Sequence, residues 1–160
     1  MAQQNITNSP NPSIWTSYTS TITATTTNPT LGSGFVLTSS YLQNGKSLNV
    51  ALTFYQLNPG TAGSGNYLFS LPSGFTINNS IVPFYPGGAV TTWVPQCGTA
   101  TLGGTSLQTM GVVVPYNATN VGLSIYGPGT PILFMLAGST AYALNNGTIF
   151  YNFYATIPIN

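Results

Sequence analysis

The chain contains no aspartate, glutamate, histidine or arginine, and a single lysine, Lys46, in 160 residues. An average soluble chain is about 25% charged, so roughly 40 charges would be ordinary at this length. General acid–base catalysis relies on a side chain that titrates near the working pH, most often His, Glu or Asp, and the sequence has none. Zinc, calcium and magnesium sites need imidazole, thiolate or carboxylate ligands, which one cysteine cannot supply alone. A nucleophile needs an activating base. The sole candidate, Lys46, stands in Asn44-Gly45-Lys46-Ser47, a turn signal where lysine is ordinarily solvated. Nucleic-acid binding by phosphate neutralisation takes several Lys or Arg. The expectation is a non-enzyme with no catalytic residue, no cofactor or metal site and no nucleic-acid partner.

Two further scarcities narrow the reading. Cys97 is the only cysteine, so the chain forms no internal disulfide. A lone Cys can bridge subunits, but its ordinary role is a small buried hydrophobe. The longest apolar run, Ile132 to Ala137, has six residues, far short of the ~18 that span a membrane. Membrane insertion is not expected. The first ten residues hold no basic residue and no apolar stretch, unlike a secretory signal.

What replaces charge is hydroxyl and amide. Thr (24), Ser (15), Asn (16) and Gln (6) supply 61 residues, beside 20 aromatics, 18 Gly and 12 Pro. An apolar content of 42% separates the chain from disordered sequences. Residues 1–13 are polar, with prolines at 10 and 12, and read as an extended N-terminal arm. Residues 14–160 read as one β domain. Gly and Pro recur at the spacing of sandwich or barrel turns, and Thr, Val, Ile, Tyr and Phe suit a pleated, half-buried surface. No useful 3.6-residue apolar period appears.

The clearest strand is Ser47–Leu57, where Leu48, Val50, Leu52 and Phe54 alternate with Asn49, Ala51, Thr53 and Tyr55 at period two. It follows Asn44-Gly45, a pair favoured by type I′ hairpin turns. Further strands are expected at Tyr67–Leu71, Phe75–Ile77, Val90–Val94, Leu107–Val114, Gly122–Tyr126, Ile132–Leu136 and Thr148–Ile157. In the last, aromatics alternate onto both faces: Phe150 and Tyr154 on one, Tyr151 and Phe153 on the other. An antiparallel strand commonly has one wet face, so a strand covered on both sides is expected, with a second subunit as one cover. Phe150, Tyr151, Phe153 and Tyr154 are therefore candidate oligomer contacts. Edges are normally guarded by charge, and near-zero net charge promotes association. Both point to self-assembly.

Several segments carry a family resemblance. They are Trp15-Thr-Ser-Tyr18 leading into Thr21-Ile-Thr23, Asn28-Pro-Thr-Leu-Gly32, Asn44-Gly-Lys-Ser-Leu-Asn-Val50, Gly60-Thr-Ala-Gly-Ser-Gly-Asn-Tyr-Leu-Phe-Ser-Leu-Pro-Ser-Gly74 and Phe150-Tyr-Asn-Phe-Tyr-Ala-Thr-Ile-Pro158. Their succession over residues 14–158 resembles virion domains of phage tail fibres and of minor structural proteins of large DNA viruses, which are similar to trimeric jelly rolls of the C1q/TNF type. The resemblance implies an antiparallel jelly-roll sandwich, a homotrimer about a three-fold axis, and a minor capsid, spike or fibre-head role on the virion surface. The partners would be further copies, other virion proteins and a host-surface glycan.

Two other classes compete. An extracellular filament subunit would add the arm Met1–Ser13 to a neighbour's sheet as a donor strand. A carbohydrate-binding module would stack sugars on aromatics such as Tyr85, Trp93, Tyr116 and Tyr126, although large aromatics more often fill cores and contacts. Four Asn-x-Ser/Thr sequons, at Asn5, Asn78, Asn117 and Asn146, are candidate glycosylation sites. With 16 Asn and 39 Ser plus Thr in 160 residues, chance gives 16 × 39/160, about the four seen. Gly60-Thr-Ala-Gly-Ser-Gly65 matches a phosphate-cradling loop in glycine count alone and lacks its lysine, so it reads as an inter-strand loop.

Overall fold

The computed structural model describes residues 14–85, 95–104, 108–127, 130–134 and 142–160. It holds strands β1 (Thr16–Tyr18), β2 (Ile22–Ala24), β3 (Val36–Asn44), β4 (Ser47–Gln56), β5 (Tyr67–Ser70), β6 (Gly98–Gly103), β7 (Gln108–Pro115), β8 (Asn120–Gly127), β9 (Thr130–Phe134) and β10 (Ile149–Pro158), and no helix among the described residues. The protein is all-β, and every strand pair is antiparallel. Along the sheet the order is β1-β3-β4-β10-β6-β7-β8-β5-β2, with β9 also pairing β8. The arm, residues 1–13, and the expected strand Val90–Val94 lie outside the described residues.

The sheet curls because its two outermost strands are neighbours in sequence. β1 pairs with β3 and β2 with β5, and only Thr19–Thr21 separates them. Ser20, 2% exposed, joins the two ends. Its N–H donates to Ser39 Oγ at 3.2 Å, and its own Oγ donates to the Ser70 carbonyl at 2.9 Å. Ser39 Oγ in turn donates to the Tyr18 carbonyl at 2.6 Å. A buried hydroxyl without partners is costly; here both serines bond the backbone where the chain passes from β1, beside β3, to β2, beside β5.

Inside the curl lies one apolar core. β4 contributes Leu48, Val50, Leu52 and Phe54. Its register partner β10 contributes Ile149, Tyr151, Phe153, Ala155 and Ile157. Leu102 stands beside Tyr151 in register on β6, and Tyr67, Phe69, Val113, Val121, Leu123 and Leu144 complete the core. Each large apolar side chain fully buried contributes about 1.5–3 kcal/mol. Gln56, fully buried at the end of β4, is satisfied on both sides of its amide. Nε2 donates to the Leu144 and Asn146 carbonyls, and Oε1 accepts from Gly32 N–H.

Two turn expectations are revised. The register pairs Asn44 with Ser47, so Gly45 and Lys46 are the central residues of the hairpin. Gly45 has φ +58° and, among the described residues, no non-glycine residue has positive φ. That is the type II′ pattern, with glycine first, rather than type I′. Phe75–Ile77 is not a strand. It holds a turn, in which Phe75 N–H donates to the Pro72 carbonyl around Gly74 at φ +90°, and a single bridge from Ile77 to Ile159.

The glycine run 60–65 has a structural purpose. It packs backbone to backbone against residues 27–32, through bridges Thr27–Ser64 and Thr30–Thr61. A Cβ on Gly60 would lie 1.9 Å from the Thr30 carbonyl oxygen. Gly60→Ala is therefore expected to destabilise by at least the ~1–3 kcal/mol of an overpacked site, seen as a lower urea midpoint. An unchanged midpoint would show that the two loops separate freely.

Candidate functional site

The outer face of β1, β3, β4, β10, β6 and β7 divides into two zones set by register. The first is apolar. Val36, Tyr55, Phe150 and Gly103 stand side by side across β3, β4, β10 and β6. The Phe150 ring lies over Gly103, where a Cβ would come within 2.0 Å of it. Phe150 thus covers a glycine of its own chain and is only partly buried. Val36 is 52% exposed, and Leu57, directly after β4, is 53% exposed. Lys46, the one charge, sits at the hairpin turn, eight residue pairs along the same ladder from Val36–Tyr55.

The second zone is polar and concave. Two rows of side chains, small apart from Tyr154, cross the sheet: Thr38, Thr53, Asn152, Thr101, and Ser40, Ala51, Tyr154, Thr99. They line a groove of about 550 Å³, with Met110 and Ser17 at its sides. Tyr154 is 48% exposed. Its ring is held in place, because its hydroxyl donates to Asn49 Oδ1 at 3.1 Å and its ring centroid is 6.2 Å from that of Trp15. Asn49 Oδ1 also accepts from Thr156 Oγ1 at 2.8 Å. At the centre of the groove, Asn152 Oδ1 is buried with no hydrogen-bond partner, the one such side-chain atom among the described residues.

The four expected contact residues separate by strand alternation. Tyr151 and Phe153 point into the core, at 0% and 5% exposure, so the folded chain cannot offer them to a partner. Phe150 and Tyr154 are on the outer face, one in each zone. Tyr85 and Tyr116 pack against Val112 and Val114 on the outside of β7. That placement buries apolar surface and spends the two rings in packing. Trp93 and the Tyr126 side chain are outside the described residues, as is Asn5. Of the remaining sequons, Asn78 and Asn117 use their side-chain oxygens in local turns. Asn78 Oδ1 accepts from Ser80 N–H, and Asn117 Oδ1 from the N–H groups of Thr119 and Asn120. Asn146 is partly buried beside the Gln56 amide.

Cys97 is free and buried. Its Sγ contacts the Val113 carbonyl at 3.5 Å, and burial pushes its thiol up to about 12. Burial also raises Tyr18 and Tyr67, and it raises Tyr151 well above the ordinary tyrosine value, with Tyr67 adding to the shift.

The fold is all-β, one curled antiparallel sheet, and its outer face presents hydroxyls, amides and apolar groups instead of charge. Comparison with protein-family models, with curated proteins and with solved structures gives no match to this chain.

Proposed function

We propose that the protein is a non-enzymatic structural protein of a virion surface, assembling with copies of itself into a homo-oligomer, with a trimer expected. In this reading the curled sheet is the jelly-roll-type body of a minor capsid, spike or fibre-head component, placed to meet other virion proteins and the host. The observation that carries self-assembly is the apolar row Val36–Tyr55–Phe150 with Leu57 beside it, half exposed on a protein with no carboxylate and its one lysine at the far end of the hairpin. Apolar surface left in water is unfavourable by about 25 cal/mol per Å², and a face without charge has little to oppose docking.

Light scattering and electron microscopy of the purified protein test this. A closed ring of three at tens of micromolar is expected. Val36→Lys and Leu57→Lys each change a half-exposed side chain, so the fold survives while the assembly dissociates toward monomer. A wild-type protein that stays monomeric overturns the reading, and an open polymer transfers it to the filament class.

A further inference from the structure

We propose that the groove between β3 and β6 on the outer sheet face is a binding site for a neutral carbohydrate chain. The inference extends the virion-surface reading, on which it rests for where such a partner is met, and names that partner's chemistry.

Three observations converge on the ligand class. The first is charge. The lining offers hydroxyls and an amide, and no ionised group. A carboxylate, phosphate or ammonium desolvated there would find no counter-charge, which is costly. The ligand is therefore neutral and hydrogen-bonding. The second is the orphan acceptor. Asn152 Oδ1 is buried and unpartnered at the centre of the groove, flanked in register by Thr53 and Thr101. Buried polar atoms are nearly always paired, and an exception calls for an explanation. The oxygen has almost no surface open to solvent, so a ligand hydroxyl reaches it once the Asn152 amide turns toward the groove, where Thr53 and Thr101 can both donate and accept beside it. The third is the aromatic wall. Tyr154 is half exposed yet held by Asn49 and Trp15, so little rotamer freedom is lost when a flat partner docks. Pyranose rings present apolar C–H faces to such a ring and hydroxyls around their rim.

The volume of about 550 Å³ falls within the roughly 300–1,000 Å³ typical of ligand pockets. A peptide fits less well. β4, β10 and β6 are flanked by strands on both sides, and β1 covers Ser39–Tyr41 of β3, so an extended chain laid across the groove finds no free ladder of main-chain groups at its floor. Tyr85 and Tyr116, spent against β7, take no part.

The test uses the whole protein and neutral gluco-, manno-, galacto- and xylo-hexaoses as probes, with sialyl-lactose as a charged comparator. Binding is read by tryptophan fluorescence and by the amide signals of 15N-labelled protein. One or more neutral hexaoses should bind at millimolar concentration or below and move the signals of Asn152, Thr101 and Tyr154. Asn152→Ala should weaken that binding about tenfold or more through the lost hydrogen bond. It should leave the melting temperature unchanged or raised, because the amide oxygen it removes has no partner in the free protein. Tyr154→Ala should weaken binding similarly, while Val36→Lys should not.

No binding by any neutral probe overturns the proposal. So does preference for sialyl-lactose, or binding that both groove variants leave intact. A monomeric protein that binds the hexaose keeps the groove and defeats the assembly reading; a trimer that binds none does the reverse.

Discussion

Replacing Tyr151 by alanine is expected to lower the melting temperature by about 6–20 °C, since the ~3–5 kcal/mol of a deleted core aromatic shifts a domain of this size by about 2–4 °C per kcal/mol. Tyr151 is fully buried on β10. Its ring centroid lies 5.3 Å from that of Phe54, nearly parallel, and 6.0 Å from that of Phe69, edge to face. Both geometries suit the ring quadrupole and add to simple burial. The hydroxyl donates to the Tyr142 carbonyl, so truncation also strands a buried acceptor at about 1–3 kcal/mol. Tyr151→Phe separates the two contributions, because it keeps the ring and loses only the hydrogen bond. Thermal and urea unfolding should rank wild type, Tyr151→Phe and Tyr151→Ala in that order. An alanine variant that melts within about 3 °C of wild type would mean that the rings around it close the cavity, contrary to the partial collapse usual in cores.

Strand β4 shows what the sequence makes legible. Leu48, Val50, Leu52 and Phe54 alternate without interruption, and all four are buried. β10 is equally readable as a strand, but its two aromatic faces are not separable by pattern. Tyr151 and Phe153 face the core while Phe150 covers Gly103 and Tyr154 covers the groove, and no periodicity says which aromatic face is inner. β3 is hidden for another reason. Its inward line Leu37, Ser39, Tyr41 contains a serine, which is buried because it bonds the β1–β2 corner, a long-range partner invisible in local sequence. β6 is short and bounded by Gly98 and Gly103, whose missing side chains make room for the Tyr154 carbonyl and the Phe150 ring. Those glycines read as punctuation in sequence and are close-contact positions in the sheet. The groove is still less legible. Threonine, serine and asparagine recur throughout this chain, and only register gathers four threonines, Ser40 and Asn152 with Ala51 and Tyr154 into two adjacent rows.

The melting temperature is expected to be nearly constant from about pH 4.5 to 7 and then to fall steeply in alkali. Stability varies with pH only where the folded and unfolded chains bind different numbers of protons. The side chains that titrate between about pH 4 and 7 are Asp, Glu and His, and the sequence has none. Acid denaturation through buried or paired carboxylates therefore has no group to act on. Carboxylate–cation side-chain pairs are impossible for the same reason, so moderate salt has little to screen. In alkali the sign reverses to a loss. Burial raises the Cys97 thiol from 9.0 to about 12, and raises Tyr18, Tyr67 and Tyr151 from 10.0. In each case the folded state holds its proton longer than the unfolded chain does. The associated stability is complete below the unfolded value and disappears as pH rises through the folded one. For Cys97 that window runs from about pH 9 to about 12; three units at 1.36 kcal/mol each amount to roughly 4 kcal/mol. Cys97→Ala should therefore flatten the onset of the alkaline limb near pH 9, leaving the tyrosine part above about pH 10. Urea unfolding of wild type and variant across this range checks both limbs. A drop of more than about 5 °C between pH 7 and 4.5 would require a titratable group from a bound ion or partner, because the chain itself supplies none there. An alkaline limb identical in Cys97→Ala would show that the thiol ionises only after the tyrosines have opened the core.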